Sequence, residues 1–268
     1  MRDNCHSIRI GPCGWSYKDW VGPFYPIGTP AGDYLRYCAE QFPIVEVDST
    51  FYGTPRPRMV ANWRAKTPDE FGFSLKVPKS ITHEKILRDC AAEVEEFLSA
   101  ARLLEDKLLC CVLQFGYFNR AIFPDLDTFL ERLDPFLAAW PKVIPVAVEI
   151  RNKAWVSQEF ADFLKQHHAV WVLNDQEWMP APWVLVRKLD VITGPFAYLR
   201  LLGDRALVDN LTKTLDHIVV DRSAEIDIDA QAIRLLSDRV PVLAFVNNHF
   251  AGYAPESIRM RQEAIRRL

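Results

Sequence analysis

Residues able to do ionic and acid–base chemistry recur at one kind of place, the last positions of short apolar runs. Ile44-Val45-Glu46-Val47-Asp48 opens as a β-branched run, which favours a strand, and Gly53-Thr54-Pro55 ends it in a loop. Side chains alternate faces along a strand, so Val45 and Val47 share one face and Glu46 and Asp48 the other. A buried carboxylate is costly unless it is paired or hydrogen-bonded, so these two acids face either solvent or a polar centre. The pattern repeats along the chain. Lys76 lies between Leu75 and Val77, Glu149 between Val148 and Ile150, and Arg200 between Leu199 and Leu201. Ser74, Gln114, Arg151, Asn174 or Asp175, and Asn247 hold comparable positions. Lys76, Arg151 and Arg200 suit phosphate or carboxylate, which arginine grips bidentately. Glu46 and Glu149 suit an acid and a base whose environments separate their pKa values. His83, in Ile81-Thr82-His83-Glu84, is a further acid–base candidate. The competing reading is structural: a layer of mutual salt bridges under a plugged mouth.

The elements that must position these groups alternate in type. Hydrophobic periodicity predicts a strand opening at Ile44 and further strands over 7–11, 71–78, 107–115, 143–151, 169–175, 196–201 and 241–248. It predicts helices over 33–42, 58–66, 91–104, 125–139, 157–167, 227–238 and 255–268, with Asp33 and Ser157 as N-caps. The stretch 176–195 reads as irregular. Strands alternating with helices imply parallel β-α units. Eight units in 268 residues favour one closed (β/α)8 TIM-type barrel, spanning 1–268 as a single domain, over an open doubly wound sheet. In such a barrel the aliphatic residues pack outward under the helices, and the polar ones point to the axis at the strand C-termini. The loop 12–26 holds five aromatics, among them Trp15 and Tyr17, as a lid on the core or a pocket wall. Tyr52, Trp155 and Tyr198 are further wall candidates.

Composition narrows the class. The chain is 49% hydrophobic and 25% charged, with a formal net charge of −3 and a sequence pI near 6.1. That balance does not favour a broad nucleic-acid or anionic-membrane footprint. No apolar run approaches a membrane span, and the first residues lack the apolar core of a signal peptide. The six cysteines form no C-x-x-C pair and read as reduced core thiols, which places the protein in the cytoplasm. No G-x-G-x-x-G or G-x-x-x-x-G-K-[ST] motif marks a nucleotide cofactor. No clustered histidine pattern marks a zinc site, although a loosely held divalent ion on Glu46 and Glu149 stays open.

Six blocks of residues resemble a known family. They are Gly14-Trp15-Ser16-Tyr17 with Trp20; Val45-Glu46-Val47-Asp48-Ser49-Thr50-Phe51-Tyr52; Phe73-Ser74-Leu75-Lys76-Val77-Pro78 with His83; Glu149-Ile150-Arg151 with Trp155; Tyr198-Leu199-Arg200-Leu201; and Phe245-Val246-Asn247-Asn248 with Gly252. The series is similar to the YecE-like family, domain of unknown function 72, over essentially the whole chain. The resemblance implies a TIM-type barrel and carries over no catalytic residues. Asp48, where the family commonly has Asn, adds a negative charge beside Glu46.

Three functions fit these residues. One is a hydrolase- or isomerase-type enzyme acting on a small phosphorylated or carboxylated substrate. Its catalytic groups are Glu46, Glu149 and His83. Its binding groups are Trp15, Tyr17, Asp48, Tyr52, Lys76, Gln114, Arg151, Trp155, Arg200 and Asn247. Another is a nucleic-acid-binding or processing barrel resembling apurinic endonucleases, with loop aromatics stacking on an extruded base and Arg56, Arg58 and Lys79 on the backbone. The third is a ligand-binding protein without chemistry. Fold does not choose among them, and the oligomeric state stays open. In the first reading Glu46 and Glu149 serve function more than stability, and replacing either by Gln costs little.

Overall fold

The computed structural model describes residues 6–268. Eight strands form where β-branched and aromatic residues concentrate: β1 Ile8–Pro12, β2 Ile44–Val47, β3 Gly72–Lys76, β4 Leu108–Gln114, β5 Val146–Glu149, β6 Val170–Asn174, β7 Ala197–Leu201 and β8 Val242–Val246. They pair in parallel in the order β1-β8-β7-β6-β5-β4-β3-β2. The ring meets itself between β1 and β2 through one parallel bridge, Cys13 to Glu46, where the Gly14 N–H donates to the Glu46 carbonyl at 2.8 Å. At this seam a Cβ on Gly11 would lie 1.9 Å from the Ile44 carbonyl oxygen. Only glycine lets the two backbones approach so closely.

The two faces of the sheet have different chemistry, as the alternation requires. Val45, Val47, Leu75, Val77, Val148, Ile150, Leu199 and Leu201 join the large cluster under the helices. Ile44, Cys110, Val112, Ala147, Val170, Val172, Tyr198 and Phe245 fill the barrel interior. The register sets the polar residues above them: Glu46 lies beside Ser74, Gln114 beside Glu149 and Asn174 beside Arg200.

The outer ring comprises α1 Tyr34–Gln41, α2 Pro57–Ala65, α3 Ala91–Ala101, α4 Leu126–Ala139, α5 Gln158–Gln166, α6 Pro182–Lys188, α7 Arg205–Leu211, α8 Ser223–Ser237 and α9 Ala254–Arg266. Ser157 caps α5 by accepting from the Phe160 N–H at 3.2 Å. Asp33 makes no such bond; a 3-10 turn, Ala31–Asp33, leads into α1 instead. The stretch expected to be irregular contains α6, because Pro182 occupies its first turn, where the missing N–H costs nothing. α7 lies in a segment to which periodicity assigned no element. Its start is marked by Asp204, whose side chain accepts from the Leu207 N–H at 3.0 Å.

Cys13, Cys38, Cys90, Cys110 and Cys111 are buried free thiols. Cys5 and the N-terminal stretch read for a signal peptide lie outside the described residues. Among the described residues no helix is long and apolar enough to cross a membrane.

Candidate active site

Arg200, on β7, is the hub of the barrel's polar layer. Its Nη1 donates to Glu149 Oε2 at 2.6 Å. Its Nε and Nη2 donate to Glu46 Oε1 at 3.0 and 2.7 Å. Nη2 also reaches Asp48 Oδ1 at 3.2 Å. Glu149 accepts a further bond from Arg151 Nε at 2.9 Å, and Glu46 one from the Tyr198 hydroxyl at 2.6 Å. Because Tyr198 donates to Glu46, it accepts from Ser74, 2.8 Å away. Glu46 and Glu149 have no exposed surface, and Arg200 has 2%. Buried charges of this kind persist only with such saturation.

Burial drives the Glu46 carboxyl up, and the charge of Asp48 adds to it against the pull of Arg200. Burial opposes ionisation of Glu149 as well, but Arg200 and Arg151 outweigh it and bring that carboxyl down to about 2. The two acids therefore differ in the direction of their shifts. Their placement differs from that expected of catalytic groups at the mouth. Neither lines the cavity above; the Arg200 guanidinium covers both.

That cavity has a volume of about 500 Å3 at the strand C-termini, within the usual range for small-molecule sites. Tyr17, Asp48, Tyr52, Lys76, His83, Gln114, Arg151, Arg200 and Asn247 all reach it. Asp48 is its carboxylate, on a 3-10 turn Asp48–Tyr52 that continues β2, and lies 3.6 Å from Lys76 Nζ. Lys76 Nζ also sits 4.1 Å over the Phe51 ring, a cation–π contact. His83 meets the same ring edge-on at 5.0 Å. His83 stands on a π-helical turn, Ser80–Glu84, after β3, a geometry frequent at functional positions. Burial, then the charges of Lys76 and Arg151, pull its imidazole below the ordinary range. Burial also lowers Lys76, with Arg200 adding to it.

Three predicted wall residues, Trp15, Trp155 and Tyr198, are elsewhere. Trp15 packs edge-on against Trp63 and Phe73, at 5.5 and 6.4 Å, outside the strands. Trp155 stacks on Phe129 at 4.9 Å in an aromatic cluster under the helices. Both rings gain more from apolar partners than from a wet cavity. Tyr198 lies below the cavity in the barrel interior. Gln176 and Arg205 reach the cavity without having been singled out for it, and His249, which follows Asn247-Asn248 and has the same acid–base standing in the sequence as His83, reaches it as well. Arg205 follows the Gly203-Asp204 turn and helix cap, a signal the sequence did carry. His249 belongs to a second polar group. The Asn247 side-chain Oδ1 accepts from the His249 backbone N–H at 3.0 Å and lies 2.9 Å from its Nδ1. Nε2 then faces Asp209 Oδ1 at 3.2 Å across α7.

The site offers little to a metal. Arg200 already bridges Glu46 and Glu149, where a loose ion was left open. Ligand atoms of Cys13, Glu46 and Asp48 lie within 4.8 Å of one another. Burial, then Glu46 and Asp48, hold the Cys13 thiol well above its ordinary range. A protonated thiol beside a carboxylate bonded to arginine is a poor ligand set.

A parallel eight-stranded barrel with its polar layer and cavity at the strand C-termini is a TIM-type (β/α)8 protein. The family described as Protein of unknown function DUF72 matches residues 9–267, and the chain belongs to that family. The fold is similar to a DUF72 family protein from Thermotoga maritima, with a TM-score of 0.77 and 26% identity, covering 97% of this chain and all of that one. A DUF72 family protein from Enterococcus faecalis gives 0.74 and 24%, covering 97% and 98%. A D-psicose 3-epimerase from Clostridium cellulolyticum shares the fold alone, at 0.52 and 13%, covering 97% and 96%. In sequence the chain is 35% identical to the UPF0759 protein YecE of Escherichia coli over 146 residues, 54% of this chain and 48% of that protein. It is 29% identical to the UPF0759 protein YunF of Bacillus subtilis over 163 residues, 57% and 54%. The chain thus spans about half the length of these relatives.

Proposed function

We propose that the barrel mouth is the active site of an enzyme acting on a small phosphorylated or carboxylated substrate, of the hydrolase or isomerase type. The observation that carries this is one cavity that Lys76, Arg151 and His83 all line, with Asp48 as its carboxylate, 3.6 Å from Lys76 Nζ. Lys76 and Arg151 hold the anionic group. Arg200 is spent on three carboxylates, so its role is to fix the charge pattern rather than to bind. His83, biased toward its neutral form by burial and then by two cations, is the general acid–base group, and Asp48 orients a substrate hydroxyl. Glu46 and Glu149 act one layer down, holding Arg200 and Arg151 in place. The test pairs inorganic phosphate titration, read by calorimetry, with a turnover screen of sugar phosphates and hydroxy acids read by proton NMR. Phosphate binding weakened about tenfold in Lys76→Ala, as for one lost charge-assisted contact, with turnover abolished in His83→Gln, supports the reading. Phosphate binding without turnover favours the non-catalytic ligand-binding protein. No saturable phosphate binding sinks the anion site.

The nucleic-acid reading draws support from Tyr52, 78% exposed at the rim, and from the nearby surface cleft of Arg56 and Arg58. Binding of single-stranded DNA that weakens steeply with salt would favour it.

A further inference from the structure

The molecule has a second concavity, unrelated to the barrel mouth. It lies on the outer surface between α3 and α4 and has a volume of about 640 Å3. Its lining is largely apolar: Leu87, Val94, Leu98, Phe136, Trp140 and small residues between them. Pro135 sits inside α4 and faces the groove, a position that forfeits a helical hydrogen bond.

One end is built by the turn preceding α3, and that turn is strained. Ile86, Leu87 and Asp89 have φ of +47°, +64° and +46°. Left-handed backbone is disfavoured for any side chain and most for a β-branched one. Such residues persist where the surroundings over-determine them, commonly at ligand clamps. Here the turn lays Leu87 into the groove and offers the Ile86 carbonyl to Arg132 Nη1 at 3.4 Å.

Two guanidinium groups stand at that end. Arg132 is pulled below its ordinary range by burial and then by the charge of Arg88. Among the described residues neither makes an ion pair. The carboxylates nearby are engaged elsewhere: Glu84 with Lys79 at 2.9 Å, Glu93 with Lys85, and Glu95 with Arg102 at 2.8 Å. Two carboxylates also line the groove, Asp89 and Glu95, and Glu95 is held by Arg102, which leaves Arg88 and Arg132 facing Asp89 at the head of the trough. Two neighbouring like charges favour an anion between them.

We infer that this groove is a binding site for a single-chain amphiphile, its hydrocarbon body between α3 and α4 and its carboxylate head on Arg88 and Arg132. Guanidinium matches a carboxylate in bidentate geometry, and the volume falls within the range of small-molecule sites. A polar sugar or nucleotide would leave its hydroxyls without partners along the Leu98–Trp140 floor.

The probe is dodecanoate, kept below its micellar concentration and titrated into the full chain, with tryptophan emission and melting temperature as readouts. The expected result is saturable binding with a rise in melting temperature, and an emission change lost in Trp140→Phe. Arg88→Gln, at an exposed position that the fold tolerates, should weaken binding about tenfold, as for one charge-assisted contact. Ala139→Trp, also exposed, should block the groove and abolish binding without lowering the melting temperature of the free protein. Equal affinity for dodecanol would overturn the carboxylate assignment. Binding unchanged by both groove variants but lost in Lys76→Ala would place the ligand in the barrel mouth and overturn the site. Cosedimentation with phosphatidylglycerol vesicles, abolished by Arg88→Gln in the absence of dodecanoate binding, would replace the free acid with a membrane headgroup and overturn the proposal as stated.

Discussion

Arg200 is surrounded on three sides by carboxylates, and this sets how its neighbours respond to substitution. Glu149 owes its low pKa to Arg200 and Arg151 acting against burial. The displacement from 4.5 to about 2 corresponds to roughly 3 kcal/mol of interaction with the charged form. Glu149→Gln should therefore destabilise the fold by roughly 3 kcal/mol. Glu46 is shifted in the opposite direction by burial, so its ionised form is held less strongly than that of Glu149. Glu46→Gln should cost clearly less, since its one amide oxygen still accepts from Arg200 and its N–H can donate to the Tyr198 hydroxyl oxygen, which then donates to Ser74. Urea unfolding of the two variants beside the parent checks the order, and equal losses would contradict it. This departs from the expectation drawn from sequence, in which both carboxylates line the cavity and both changes are mild. The guanidinium that covers them makes the difference.

At the scale of elements, the segment from β7 to α7 is the part of the mouth most exposed to disturbance. Asp175, at the end of β6, accepts from the Leu202 N–H and from the Gly203 N–H at 3.1 Å. Gly203 has φ of +66°, and a Cβ there would lie 2.5 Å from Phe250 Cα and 2.6 Å from the His249 carbonyl oxygen. Both the backbone conformation and the close approach call for glycine. Gly203→Ala should cost roughly 2 kcal/mol from strain and shift α7, carrying Arg205 out of the cavity. Hydrogen exchange reports the shift directly: amides of Val208 and its neighbours should exchange faster while those of β4 stay protected. Unchanged exchange in α7 would show that the turn tolerates a side chain.

For the whole molecule, Asp175 and Glu149 contribute to the dependence of stability on pH with opposite signs. Burial, then the charge of Asp229, raises Asp175 from 3.8 to about 6. Below pH 3.8 both folded and unfolded chains hold that proton. Between 3.8 and 6 only the folded chain does, so stability falls as pH rises through this window, by about 3 kcal/mol. Glu149 works in reverse: its contribution is present above pH 4.5 and lost as pH falls toward 2. Asp175→Asn keeps an acceptor for Leu202 and Gly203 and removes the titration. That variant should melt higher than the parent at pH 7, and its melting temperature should fall less than the parent's between pH 4 and 6. A parent curve rising through that window would refute the assignment.

Much of this was legible in the residues. The alternation of strands and helices, and of aliphatic with polar residues inside each strand, is a local property, because a side chain's face follows from its parity. So the barrel, the outward Val45, Val47, Leu199 and Leu201, and the inward Glu46, Lys76, Glu149 and Arg200 could be read from the chain itself. The short helices were harder: α6 begins on a proline and α7 spans only Arg205–Leu211, too few turns for periodicity to register. Depth was not legible at all. Parity says that Glu46, Glu149 and Arg200 point to the axis, but not which lies above the others. That order depends on strand register and on the reach of each side chain. Arg200 is long enough to fold over both glutamates, which leaves Asp48, Lys76, Arg151 and His83 to meet a ligand. Trp15 and Trp155 follow the same rule, since packing between distant segments decided whether an aromatic ring joined the core or the cavity. The sequence by itself determined the fold family and which residues face inward, because both are periodic. Only the tertiary structure decided which inward groups are buried and which are free to act, because burial depends on neighbours that the chain brings together from far apart.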